Sequence, residues 1–466
     1  SRFLFANEKL SVKKVEKAAK KKYAPGLYDL TELQRDANQK FGFSAKETLN
    51  IMQRLYENHK VLTYPRTDSR YIGTDIVDTI KDRLRAISVG PYKKLAGSLV
   101  MKPLRTNKSF VDDKKVSDHH AIIPTEQYVQ LEHMTSEERK IYDLVVRRFL
   151  SVLYPPFEYE QTTLHAVVSG EHAGKNSEEH FVAKGKIVKE AGWKTVYDYE
   201  EEETEEGLKE QSLPTIEAGD RLPVERAAVT RGKTKPPARF TEGTLLKAME
   251  NPVKYMQQKD AKAAKTLQET GGLGTVATRA DIIDKLFGSY LIEKKENEIF
   301  ITGKAKQLLS LVPEDLKKPE LTAEWESRLS AIAKGKASDR KFMKEIETYT
   351  KELMKQIQNG TGTFRHDNLT NKVCPECGKR LLLVNGKQGK LYVCQDRECG
   401  YKERISRMTN ARCPVCHKKM ELIGAKENQK FVCSCGHKES MQAFENRRKK
   451  EGAGVSKKDV ANYMKK

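Results

Sequence analysis

The sequence predicts a multi-domain α+β protein that ends in two small cysteine-paired modules. Three observations lead there. Capping signals and apolar positions at helical spacing run through residues 28–153 and again through 235–358. Apolar–polar alternation takes over between 158 and 229. All eight cysteines fall after residue 373, in pairs.

A chain of 466 residues has room for about two to four domains. Hydrophobic residues make up 38%, enough for ordinary cores, while the net charge of +21 points to a polyanionic partner. The excess is concentrated at the end. Residues 372–466 hold 23 Lys+Arg against 10 Asp+Glu, or +13, leaving +8 for the first 371. No apolar run approaches the ~20 residues of a membrane span, and no secretory signal is present. Paired cysteines at metal spacing fit a reducing compartment, so a cytoplasmic protein is expected. The chain opens on Ser1 and an apolar run at 3–5, which reads as a piece of a longer protein.

In chain order, residues 3–5 read as a short strand. Residues 11–22 form a basic segment with Val12, Val15 and Ala18-Ala19 at helical intervals. Thr31-Glu32-Leu33-Gln34 and Ser44-Ala45-Lys46-Glu47 are capping-box patterns, the second leading into Leu49, Met52 and Leu55-Tyr56. Lys60-Val61-Leu62-Thr63 reads as a brief strand, and a helix follows from Thr74. Residues 135–153 form an amphipathic helix stopped by Pro155-Pro156. Residues 161–168 and 181–188 alternate as strands, and the acidic run at 198–206 is a loop. Helices resume after 240, and Asn359-Gly360-Thr361-Gly362 is a linker.

Three stretches carry chemistry. In Thr63-Tyr64-Pro65-Arg66-Thr67-Asp68-Ser69-Arg70-Tyr71 a phenol is followed two residues later by a guanidinium. Such a neighbour favours the phenolate and can hold a phosphate oxygen, which suits a tyrosine that attacks a phosphodiester. In Ser117-Asp118-His119-His120-Ala121-Ile122-Ile123-Pro124-Thr125 an imidazole can donate to a phosphate or take a proton. Adjacent histidines on extended backbone point to opposite sides, so at most one of the two acts. In the third, Lys235-Pro236-Pro237-Ala238-Arg239-Phe240-Thr241-Glu242 precedes Gly271-Gly272-Leu273-Gly274-Thr275-Val276-Ala277-Thr278-Arg279-Ala280-Asp281-Ile282-Ile283, a glycine turn into a helix whose N–H groups can hold a phosphate.

Taken in this order, the three stretches resemble the type IA DNA topoisomerases in their topoisomerase III form, over about residues 28–329. The resemblance implies a toroidal core. Residues 1–26 with 127–234 would form a strand-rich arch, 27–126 a winged-helix-like domain carrying the catalytic tyrosine, and 235–358 a helical DNA-binding domain. It implies Tyr64 as nucleophile, Arg66 as stabiliser of phosphate charge and His119 beside the scissile phosphate, with His120 standing where many family members have an acidic residue. Thr67, Asp68, Ser69, Arg239, Thr275, Thr278 and Arg279 become DNA-contact candidates. The implied reaction is ATP-independent: cleavage of single-stranded DNA through a 5′-phosphotyrosine, strand passage, and resealing by a monomer, with a helicase as a further partner. The family's Mg²⁺ site uses an Asp-x-Asp run that this sequence lacks, so its ligands are expected outside this chain and the chain alone is expected to cleave poorly. A relaxase would need metal-binding histidines one residue apart, a tyrosine recombinase a late tyrosine, and an Asp-His-His phosphoesterase companion Asp clusters. The non-enzymatic alternative is a zinc-ribbon protein that binds single-stranded DNA.

After the linker at 359–371, Cys374-x2-Cys377-x16-Cys394-x4-Cys399 and Cys413-x2-Cys416-x16-Cys433-x1-Cys435 place two four-thiolate zinc sites in ribbons at 372–406 and 411–441. The short last gap strains the second knuckle, where His417 or His437 can substitute. Tyr392, Tyr401 and Phe431 are candidates for stacking on bases. A basic tail covers 442–466.

Overall fold

The computed structural model describes residues 9–197 except 105, 117, 173 and 174, residues 213–256 except 214, 225–227, 229 and 230, residues 261–360, residues 368–424 except 387 and 397, and residues 428–450. The apolar run at 3–5, Ser117, the acidic run at 198–206, most of the linker and the end of the basic tail lie outside the described residues. The chain divides into two units, residues 1–300 with 314–348, and residues 301–313 with 349–466.

In the first unit the lysine-rich segment that reads as helical is a strand, β1 (Lys9–Lys22). It pairs antiparallel with β2 (Phe157–His172) from Ser11 opposite Val167 to Lys22 opposite Phe157. β3 (Lys175–Glu190) and β4 (Arg221–Pro223) complete a sheet of order β3-β2-β1-β4. Eleven paired positions outweigh the helix preference of lysine and alanine, and a helix there would leave a long edge of β2 open. Val12 of β1 and Leu164 and Ala166 of β2 form a small core on this sheet.

The helical body supplies the main core. α1 (Leu30–Phe41) buries Leu30, Leu33 and Ala37 and stops at Gly42, whose φ of 72° is left-handed. The cap sits earlier than the Thr31 pattern suggests. Asp29 accepts the Glu32 N–H at 2.7 Å, and Thr31 is buried inside the first turn. α2 (Ala45–Glu57) begins with the capping box of Ser44 and Glu47 as expected. The helix expected from Thr74 comes in two pieces, α3 (Thr74–Val77) and α4 (Ile80–Ala86), with the Thr79 hydroxyl donating to the Ile76 carbonyl at 2.8 Å between them. α5 (Lys93–Val100) follows. α6 (Ser136–Leu153), capped by Thr135 and Glu138, runs through the centre and ends before Pro155. Arg148 of α6 donates to the Gly26 carbonyl and the Tyr28 hydroxyl, both at 3.0 Å, and to Asp36 at 2.7 Å, which fixes the entry to α1.

The two halves of the third motif lead into α7 (Glu242–Glu250) and α9 (Arg279–Gly288), with α8 (Ala261–Glu269) between them in the chain, and the hairpin β5 (Ile292–Lys295) and β6 (Glu298–Ile301) follows. These helices are fastened to the tyrosine-bearing body. The buried Glu242 carboxylate accepts the Ala45 N–H at 3.1 Å, Asn38 accepts the Gly243 N–H at 3.0 Å, and Lys46 pairs with Asp281 and Asp284 at 3.1 and 3.0 Å. α10 (Gly303–Leu311), α11 (Pro319–Ala333) and α12 (Asp339–Gln358) follow. No helix among the described residues is long and apolar enough to cross a membrane.

The second unit carries both ribbons. β7 (Leu369–Val373), β8 (Arg380–Gly386), β9 (Gly389–Cys394) and β10 (Lys402–Arg404) form one sheet in the order β10-β9-β8-β7. β11 (Ser406–Arg412), β12 (Lys419–Ile423), β13 (Lys430–Val432) and β14 (Lys438–Ser440) form the other in sequence order. The first residues of the basic tail form a helix, α13 (Met441–Lys450). Its Phe444 stacks on Phe431 at 4.5 Å. Phe431 is only 5% exposed, so it belongs to this core and is not available to a base.

Candidate active site and zinc ribbons

Tyr64 is half-buried at the head of a loop whose backbone is pinned on both sides. Before it, the Thr63 N–H donates to the Ile123 carbonyl, and the Ile123 N–H returns to the Thr63 hydroxyl, both at 3.0 Å. After it, the Thr67 hydroxyl donates to the His119 carbonyl at 3.1 Å, and the Ser69 hydroxyl to the Lys115 carbonyl at 2.8 Å. Thr67 and Ser69 are buried, 2% and 4% exposed, with their hydroxyls turned inward; Asp68 and Arg66 face solvent. Arg66 makes no ion pair among the described residues.

These bonds lay the second motif alongside the first. Residues 121–125 run extended, with Ile122 bridged to Tyr28 and Pro124 to Leu62. His119 is exposed, and its ring lies 4.3 Å from that of Tyr64, tilted by 39°. Tyr56 of α2 meets Tyr64 edge-on at 5.7 Å. His120 turns away. Its Nδ1 lies 2.8 Å from the Ala121 carbonyl, and burial pushes its imidazole below the usual range. The two imidazoles do diverge, and His119 is the one against the phenol.

Sequence reading missed the turn behind this loop. The Leu30 N–H donates to the Thr67 carbonyl at 3.1 Å. Asp29, buried at the helix N-terminus, receives Nε of Arg70 at 2.5 Å, and a second Arg70 nitrogen lies 3.3 Å from Glu32. Burial works against the charge on Arg70, but Asp29 and then Glu32 outweigh it. Burial also raises the Asp29 carboxyl and, together with Asp29, that of Glu250. The available signal was an Asp before a helical run and an Arg inside the tyrosine motif. Asp29→Asn keeps a good cap but removes the charge that holds Arg70. Because Arg70 is partly exposed and can regain water, the expected loss is about 2 kcal/mol in equilibrium urea unfolding, below the cost of breaking a fully buried pair.

The same turn of α1 touches the third motif. Arg279, expected at DNA, is 2% exposed. Its guanidinium donates to the carbonyls of Gly271 and Leu273, the latter at 3.1 Å, and to the Thr31 hydroxyl at 3.2 Å. It braces the glycine turn instead of facing out. Thr275 and Thr278 are exposed at the start of α9, with hydroxyls 3.0 Å apart and the Thr275 N–H on the Thr278 hydroxyl at 3.0 Å. Gly272, at φ 87°, passes so close to the Met249 and Glu250 carbonyls that a Cβ would clash with both. Gly272→Ala should therefore cost at least about 2 kcal/mol in thermal or urea unfolding. Arg239 is exposed, with its guanidinium 4.4 Å above the Phe300 ring.

In the ribbons, each set of four thiols converges. Sulfurs of Cys374 and Cys399 lie 3.7 Å apart, and those of Cys377 and Cys394 3.4 Å. In the second set Cys413 and Cys435 lie 3.6 Å apart, and Cys416 and Cys433 3.3 Å. Four sulfurs around a zinc ion at the usual Zn–S length of about 2.3 Å stand roughly 3.8 Å apart, so both clusters need only a slight expansion to hold one. Cys435 joins its cluster despite the short gap, and neither His417 nor His437 belongs to a ligand group. Among the described residues no group of carboxylates gathers in a way that fits Mg²⁺.

Known proteins resemble this chain both in sequence and in fold. The model of a family described as DNA topoisomerase matches residues 3–344. This chain belongs to that family, as a bacterial type IA, topoisomerase III-like member. It is 58% identical over 458 residues to DNA topoisomerase 3 of Bacillus thuringiensis (strain Al Hakam), covering 98% of this chain and 62% of that protein. It is 56% identical over 456 residues to DNA topoisomerase 3 of Bacillus subtilis (strain 168), with the same shares. In fold it is similar to full-length topoisomerase I from Thermotoga maritima, with a TM-score of 0.54 and 22% identity, covering 94% of this chain and 61% of that one. The chain spans about three-fifths of the length of the relatives it matches.

Proposed function

We propose that this chain is the strand-gripping and nucleophilic part of an ATP-independent DNA topoisomerase that acts as a monomer on single-stranded DNA exposed by a helicase. The observation that carries the reading is the half-exposed Tyr64 phenol stacked on His119 at the head of a pinned loop. The phenolic oxygen attacks a phosphodiester. A Tyr–O–P bond forms, the bond from phosphorus to the 3′-oxygen breaks, the phenol gives up its proton, and the leaving 3′-oxygen gains one. The reverse attack by the 3′-hydroxyl reseals the strand, so no nucleotide is consumed. Arg66, exposed two residues from the phenol, carries the phosphate charge. His119 holds the ring and donates to a phosphate oxygen. Asp68, Arg239, Thr275 and Thr278 face the strand, whereas Thr67, Ser69 and Arg279 support the loops that meet it.

Mg²⁺, implied by the resemblance, would neutralise phosphate charge when bound, but among the described residues no cluster of carboxylates fits it. The ribbons add basic surface for the same strand, with the partly buried Tyr392 and Tyr401 as their remaining aromatics. The test joins this chain to the part of the Bacillus subtilis relative that lies outside the match. A 3′-end-labelled oligonucleotide with Mg²⁺ should leave its label on the protein in a denaturing gel. A protein that binds the oligonucleotide but never retains label would instead be the non-catalytic binder.

A further inference from the structure

We infer a base-stacking site for single-stranded DNA on the first unit, formed by Phe240 and Tyr255 beside the cation-covered ring of Phe300; it rests on the DNA-binding reading above and adds residues to it. Large aromatic side chains are ordinarily buried, and exposed ones grouped among cations are unusual. Phe240 is 37% exposed and Tyr255 53%, and their rings lie 5.7 Å apart. Neither is held out by accident. Phe240 is fixed because its carbonyl accepts the Ile299 N–H at 2.6 Å, which joins it to β6. Tyr255 closes the short turn that follows α7, and Pro252 buries the base of that turn.

The surroundings say what covers these rings. Arg239 lies 4.4 Å and Lys295 4.9 Å from the centre of the Phe300 ring, with Glu298 4.0 Å from Arg239 and Glu293 3.0 Å from Lys295. The preceding stretch, residues 231–240, is exposed throughout and carries Arg231, Lys233, Lys235 and Arg239 with no acidic residue. A peptide or a lipid surface could answer the charge or the rings. Single-stranded nucleic acid presents phosphates at regular spacing together with flat bases free to leave their own stack, which matches both features side by side. Double-stranded DNA does not offer its base faces. The site therefore reads no sequence. It holds a strand by one or two bases while the basic stretch follows the backbone.

The test uses the full chain and two oligo-dT strands, one intact and one with consecutive abasic positions, which keep the phosphates and remove the faces. The intact strand should bind about tenfold more tightly, and this preference should vanish in Phe240→Ala/Tyr255→Ala. Phe240→Leu/Tyr255→Leu, which keeps apolar packing, should lose the preference as well, while Tyr255→Phe should retain it. A 2-aminopurine placed in the strand should be quenched by the parent chain and not by the leucine variant. A preference for the intact strand that persists in both double variants would move the stacking to the ribbons and overturn the inference, as would equal binding of the two strands by the parent. Failure to bind either strand would overturn the DNA-binding reading itself.

Discussion

Tyr64→Phe should abolish covalent capture of single-stranded DNA and leave its affinity within about twofold. The substitution removes one oxygen. The ring that remains can still lie on His119 at 4.3 Å and against Tyr56 at 5.7 Å, so the loop keeps its shape. Affinity for a polyanion comes from cations and exposed rings, none of which changes. Without the oxygen there is no nucleophile, and the loss should be complete rather than graded. Arg66→Ala provides the contrast. The guanidinium is exposed and holds no other group among the described residues in place, so stability should not move. Losing charge stabilisation at a phosphate should slow adduct formation by roughly 100-fold with a much smaller change in binding. The measurement is the rate of label transfer beside a binding isotherm for each variant, in the chain joined to the rest of its relative. Label retained by Tyr64→Phe would assign the nucleophile elsewhere.

The parts of this site written in local chemistry were readable from sequence. Tyr64, Arg66 and His119 sit in short polar stretches, and the structure brings the first and third together. Ser44 and Thr135 announce their helices because a cap is satisfied by residues three positions away. The cysteine spacing encodes its own geometry. What stayed hidden depends on distant partners. Nothing within residues 11–22 shows that β2 waits to pair with them, so alanine and lysine at helical intervals mislead. Arg279 looks like a DNA-facing arginine until Gly271, Leu273 and Thr31 surround it. Phe431 looks like a stacking platform until α13 covers it. Asp29 illustrates both cases: its role as a cap was local, but its hold on Arg70, 41 residues away, was not.

Chelation should unfold the first ribbon more completely than the second, the reverse of what the short Cys433–Cys435 gap suggests. The expectation follows from what remains when zinc leaves. In the first ribbon the buried cluster is Leu381 with two of the cysteines themselves, backed by partly buried Tyr392 and Tyr401. In the second, Ala411, Met420, Leu422, Phe431 and Phe444 are buried around the cysteines, and α13 contributes part of that core. Binding of a structural zinc at four thiolates is worth on the order of 10 kcal/mol, far more than one buried leucine returns. The parent chain should bind two zinc ions, and Cys377→Ser and Cys416→Ser should each bind one. Under increasing chelator, hydrogen exchange of β8 and β9 should rise to the rate of an unfolded peptide while β12 and β13 keep part of their protection. The helical body, which uses no cysteine, should not respond. Equal loss of protection in both sheets would mean that the apolar contacts of Phe431 and Phe444 form only once the metal has closed the knuckles, and the second ribbon would then depend on zinc as fully as the first.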